Sequence, residues 1–140
     1  MVNQAAWNQR SSGWLKSDPI KAPSGGDRMN GNQIIEHLEA AIAALDPPQA
    51  VAWTKAYLDS GEDRSLLVQR LALLAARIGN DPHNQEIPQC MLEDYGKSQS
   101  CDRERLLLAS AHISAGHRKY GDFFKSSRRC GEAMDLAELH

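Results

Sequence analysis

The side chains best suited to chemistry are concentrated between Asp81 and Asp122, a stretch that holds three of the five histidines and two of the three cysteines. His83 and Glu86 stand one helical turn apart at the start of a candidate helix. An imidazole and a carboxylate so spaced could share a metal ion or pass a proton. The order is H-x-x-E, and the E-x-x-H pattern that builds di-iron sites in helical bundles does not occur. A histidine directly after Asp81-Pro82 also suits a capping or turn role. His112 and His117 fall on a later helix, five residues apart. At about 3.6 residues per turn they diverge by well over a quarter-turn, which makes joint ligation of one ion awkward. The metal or cofactor reading therefore rests on His83, Glu86, His112 and His117, and no particular cofactor is predicted.

Ser110, Ser114 and His117 share a face at i, i+4 and i+7. That stripe could line a pocket, let a neighbouring helix come close, or form the polar edge of a buried helix. A Ser-His pair with neither an acid on the same side nor a strand-turn-helix elbow is not a hydrolase signature. Cys90 could act as a nucleophile near His83 or His112. The sequence supplies no electropositive setting for it, so a buried structural thiol is expected. No glycine-rich phosphate loop, H-E-x-x-H, G-x-S-x-G or EF-hand pattern is present. No catalytic residue is assigned, and the balance leans away from an enzyme.

A second constellation is the run His117 to Arg129, HRKYGDFFKSSRR, where Arg118, Lys119, Lys125, Arg128 and Arg129 alternate with Tyr120, Phe123 and Phe124. In an RNA-binding protein such interleaving stacks bases and holds phosphates. No RNP, KH or zinc-finger pattern accompanies it, and the chain carries a net charge of −2. The charge is unevenly placed. Residues 34–102 hold five basic and eleven acidic side chains, whereas residues 103–129 hold seven basic and two acidic. A dipolar pattern of this kind suits docking to a complementary protein surface. An acidic partner protein is the preferred target of the basic corner, an anionic ligand the second and nucleic acid the third.

The elements that must position these residues are helical. The chain of 140 residues is one domain's worth, its apolar fraction of 41% supports a single modest core, and its many Ala and Leu favour helices over strands. Residues 1–30 differ: they are rich in Asn, Gln, Ser and Gly, and Pro19, Pro23 and Gly25-Gly26 interrupt regular structure. This is an extended N-terminal arm. It carries Trp7 and Trp14 without a core of its own, so it must lay them on its own body, a twin subunit or a partner.

Residues 31–140 form the helical domain. Ile34, Leu38, Ala41, Ile42 and Leu45 mark a first helix capped by Asn30 or Asn32. Asp46-Pro47-Pro48 starts a second, marked by Val51, Ala52, Tyr57 and Leu58 with Trp53 on a neighbouring face, and Ser60-Gly61 closes it. Glu62 or Asp63 leads a third to Ile78, apolar on most of its circumference and therefore central. A fourth spans about Asn84 to Tyr95, with Pro88 in or near its first turn and Gly96 as its end. A fifth, also central, runs from an Asp102 cap to about Lys119, and a sixth from Phe123 to Leu139. Tyr57-x5-Asp63-Arg64 is echoed by Tyr95-x6-Asp102-Arg103, an offset of 38 or 39 residues. The echo suggests stacked αα-hairpins. The expected fold is thus all-α, about six helices in antiparallel αα-hairpins, forming a bundle or a short repeat-like stack.

Three segments, Asp81 to Glu86 (D-P-H-x-x-E), Cys90 to Tyr95 (C-M-L-E-D-Y) and Arg105 to His112 (R-L-L-L-A-S-A-H), resemble the helical region that accompanies Rieske-type iron–sulfur domains in some bacterial proteins. The resemblance covers about residues 40–130 and lies in helical texture. The Cys-x-His pairs that hold a Rieske cluster are absent, so it implies no cluster, only an accessory role beside a redox enzyme.

Three cysteines without C-x-x-C spacing, no apolar leader and no long apolar span point to a soluble cytoplasmic protein away from membranes. The expected function is a non-catalytic accessory or protein-binding subunit, within a redox or metabolic enzyme complex or a homo-oligomer. It docks through Trp7, Trp14, Arg118, Lys119, Lys125, Arg128 and Arg129. A helical enzyme or metal-binding domain is the alternative, and RNA binding the third reading.

Overall fold

A computed structural model describes residues 20–78, 82–116 and 128–130. The fold is all-α. Among the described residues the order is a 3₁₀ turn (Gly26–Arg28), then α1 (Gly31–Ala43), α2 (Pro47–Asp59), α3 (Arg64–Ile78), α4 (Pro82–Lys97) and α5 (Glu104–Ser114). Residues 128–130 are helical. The expected fifth helix ends early, at Ser114, where Ala115 N–H closes on Ala111 O and the chain turns, instead of running on to about Lys119. The rest of the expected sixth helix and the tryptophans of the arm lie outside the described residues.

Local chemistry explains the first boundaries. Asn30 accepts from the Gln33 backbone N–H at 2.9 Å while Gln33 Oε1 accepts from Asn30 N–H at 3.1 Å, a reciprocal capping box. Gly31 N–H, the next donor, reaches Glu62 Oε1 at 3.3 Å. A Cβ at Gly31 would stand 3.0 Å from the Glu62 side chain and 3.2 Å from Tyr57, so any larger residue would push Glu62 and Tyr57 back by a few tenths of an ångström.

Along α1 the side chains of Ile34, Leu38 and Ile42 are fully buried. The expected continuation of the stripe to Leu45 does not hold. Asp46 N–H bonds Ala41 O at 3.0 Å and Leu45 N–H bonds Ile42 O at 3.1 Å, which closes α1 in a Schellman arrangement. That motif places Leu45 in the left-handed region at φ 57° and leaves it 39% exposed.

Asp46 caps α2 by accepting from Gln49 N–H, with Pro47 in the first turn. Trp53, expected on a neighbouring face, is buried in the core with Ala50, Ala56, Tyr57 and Leu58. Of the two expected leaders of α3, Glu62 and Asp63, it is Asp63 whose Oδ1 accepts from Ser65 N–H, at 2.9 Å. α3 is less enclosed than its composition implies. Leu67, Leu71, Leu74 and Ala75 face inward, whereas Leu73 is 53% exposed.

Two expectations for the second half need correction. α4 begins at Pro82 and ends at Lys97, so Pro88 sits in its interior, fully buried, and Gly96 lies within it. The burial of Pro88 places the proline ring in the core, where its missing N–H is offset by packing. Gln89 adds a tie by donating from Nε2 to Ala72 O of α3 at 3.1 Å. α5 opens with Arg103 in the N-cap position and no capping side chain there, so Asp102 does not cap it. A turn over Cys101–Arg103 leads in instead, with Arg105 N–H bonded to the backbone oxygen of Asp102 at 3.0 Å.

The core is one cluster. α1 packs on α2, α4 on α5, and α2 on α5, while α3 leans on α4, α5 and α1. α5 is therefore central, as expected. α2 and α3, although consecutive, scarcely touch, so the hairpins are α1–α2 and α4–α5 rather than the α2–α3 pair that the sequence echo implied. Before α1, the buried Gly26 lays the 3₁₀ turn on α2, where a Cβ would meet Ala56 at 3.4 Å and Trp53 at 3.6 Å.

Candidate functional site

The two Asp-Arg turns meet at one end of the bundle. In the first, Tyr57 Oη donates to Asp63 O at 2.7 Å, and Arg64 donates from Nη2 to Leu58 O at 2.8 Å and from Nη1 to Glu62 O at 2.9 Å. In the second, Arg103 donates from Nη1 to Ser98 O at 3.3 Å and lays its guanidinium over the Tyr95 ring, 4.8 Å from the centroid. A hydrogen bond from Arg64 Nε to Glu104 Oε1, 3.0 Å long, joins the two turns.

Between them lies a groove of about 440 Å³, lined by Arg64, Ser65, Val68, Gln69, Leu92, Tyr95, Gly96 and Arg103. Its floor is apolar: Leu92 and Tyr95 are buried, and Val68 packs partly buried against the core. Its rim holds two guanidiniums and none of the lining residues is acidic. Both arginines are held in place, Arg64 by three acceptors that include the Glu104 carboxylate and Arg103 by an aromatic face. Among the described residues, Arg103 therefore presents the unpaired charge and Arg64 a guanidinium already offset by Glu104. A smaller recess of about 240 Å³ on the far side of Glu104 mixes Lys55 and Arg105 with Asp59, Asp102 and Glu104, and so has no single sign.

Electrostatics at this end act on Tyr57. Burial first, then the charges of Glu62 and Asp63, push its phenol above the usual tyrosine range, and Arg64 opposes them.

The residues singled out from the sequence are dispersed. His83 and Glu86 are exposed near the start of α4, and His112 is exposed on α5. Among the described residues no three His, Cys, Asp or Glu side chains gather as a metal site. Cys90 is exposed, contrary to the buried thiol expected. Pro88, Leu92 and Tyr95 define the inward face of α4, and a residue two positions from the first two points the other way. Ser110 and Ser114 are buried, and their hydroxyls have no hydrogen-bond partner among the described residues. Arg128 and Arg129 are exposed, while Trp7, Trp14, His117, Arg118, Lys119 and Lys125 lie outside the described residues.

Sequence reasoning noticed Arg64 and Arg103 only as markers of a repeat. Their signal was present in the matched Tyr…Asp-Arg spacing, but that spacing cannot say that two turns share one end. It missed His37 altogether. That exposed ring stacks on Trp53 at 4.4 Å between centroids and 11° between planes, a pairing across α1 and α2 that no local pattern announces.

Comparison with known protein families, with curated proteins and with solved structures found no match. No helix among the described residues is long and apolar enough to cross a membrane.

Proposed function

We propose that this chain is a non-catalytic accessory module that docks a partner protein at the arginine end of its bundle, with the Trp7 and Trp14 arm as a second handle. The observation that supports it is the groove between Arg64 and Arg103: an apolar floor under two fixed guanidiniums is the anatomy of a protein-docking patch. Exposed Arg128 and Arg129 belong to the basic corner of the same proposal. A place in a redox or metabolic enzyme complex, in the cytoplasm, completes the reading.

The test is deletion of residues 1–19, which spares Gly26 and the Asn30 cap. The truncated chain is expected to keep its helical circular dichroism and thermal midpoint. It is also expected to lose the protein that co-purifies with the full chain from its native cell. Undiminished co-purification would reject the arm as a docking handle.

A further inference from the structure

We infer that the groove between Arg64 and Arg103 receives an acidic segment of the partner that carries one apolar anchor; this rests on the docking function proposed above. The anchor side chain lies on Val68, Leu92 and Tyr95, and flanking carboxylates meet the two guanidiniums.

Charge complementarity selects this occupant. Residues 34–102 carry eleven acidic side chains against five basic, yet the groove lining drawn from Arg64 to Arg103 contains no carboxylate. A basic segment is repelled by Arg103, whereas the charge of Arg64 is already offset by Glu104, and a purely apolar segment leaves the guanidinium donors unanswered. The donors are available. Arg64 has committed one N–H from each of its three nitrogens, so Nη1 and Nη2 each retain another. Arg103 has committed Nη1 to Ser98 O, and its ring stacking leaves the in-plane donors open to a carboxylate. The apolar floor asks for more than an inorganic anion, since Val68, only partly buried, offers surface that a side chain covers, over a base closed by the buried Leu92 and Tyr95.

The probe is a fluorescein-labelled nonapeptide, Gly-Ser-Glu-Glu-Leu-Phe-Glu-Ser-Gly, titrated with the full chain by anisotropy. One control has Lys in place of every Glu, and another has Ala in place of Leu and Phe. Binding of the acidic apolar peptide is expected to be at least tenfold tighter than either control. Arg103→Gln is expected to weaken it about tenfold. Ser65→Glu places a carboxylate in the groove at an exposed first-turn position, where it does not threaten the helix, and is expected to do the same. Arg105→Gln, in the mixed-charge recess, is expected to leave binding unchanged. Equal binding of the three peptides, no binding, or full binding by Arg103→Gln overturns the inference. Full co-purification of the native partner with Arg103→Gln and with Ser65→Glu overturns it too and removes the groove as the docking site, while a partner-binding role through the arm stands or falls separately on the deletion of residues 1–19.

Discussion

Arg64 Nε donates to Glu104 Oε1 at 3.0 Å, a bond between residues 40 apart in sequence that fastens the start of α3 to the start of α5. The same guanidinium holds the end of α2 through Leu58 O. Since α2 and α3 make little direct contact, one side chain acts as the clamp among three helices at this end. Arg64→Ala is expected to destabilise the fold by about 1–2 kcal/mol, because the partly buried Leu58 carbonyl loses a charged donor while the ion pair itself, 30% and 43% exposed, adds little. Arg64→Lys is expected to restore only a fraction of that loss, since an ammonium on a flexible stem cannot serve three divergent acceptors. Urea denaturation measures both, and a Lys variant equal to the parent protein would refute the clamp.

Leu45 is held at φ 57° by the closure of α1, a conformation that costs a side-chain-bearing residue about 1–2 kcal/mol. Glycine removes that cost and gives back part of it in chain entropy. The Leu45 side chain, 39% exposed, still buries most of its surface, and losing it costs about 1–2 kcal/mol. Leu45→Gly is therefore expected to leave stability within about 1 kcal/mol of the parent, whereas Leu45→Ala, which keeps the backbone cost and loses the burial, is expected to be clearly less stable. Equal thermal midpoints for the Ala and Gly variants would show that the left-handed backbone at Leu45 carries no cost.

Tyr57 makes stability depend on alkaline pH. Its folded pKa is raised above the ordinary value of 10.0, so the unfolded chain loses the phenolic proton first. The contribution of the neutral phenol is intact below pH 10 and is lost as pH rises above it towards the folded pKa. Tyr57→Phe is expected to cost about 1 kcal/mol near neutrality through the lost bond to Asp63 O. Its denaturation midpoint is also expected to fall less than that of the parent from about pH 9.5 to about pH 11, across the tyrosine range. Parallel pH profiles would assign the alkaline loss to another group.

Much of the helical content was legible because it is local. Start signals act within one turn: Asp46 with Pro47 is used as read, and of the paired candidates Asn30 or Asn32 and Glu62 or Asp63 the chain uses Asn30 and Asp63. Where a local signal met a packing demand, packing prevailed: Pro88 was drawn into the interior of α4 because its ring fills the core. Likewise the apolar character of Leu45 and Leu73 did not bring them inside, because α1 had already closed and because α3 packs through its Leu67, Leu71 and Leu74 face.

The candidate site was less legible. The histidines drew attention by type, but His83 and His112 sit exposed on different helices, while Arg64 and Arg103 share a groove by virtue of how two turns pack side by side. The sequence by itself determined that the chain folds as helices and where most of them begin, since capping and periodicity are interactions between residues a few positions apart. Only the tertiary structure decided which helices pair and which cations converge. That choice follows from burial of apolar faces between segments tens of residues apart, which no single stretch of sequence encodes.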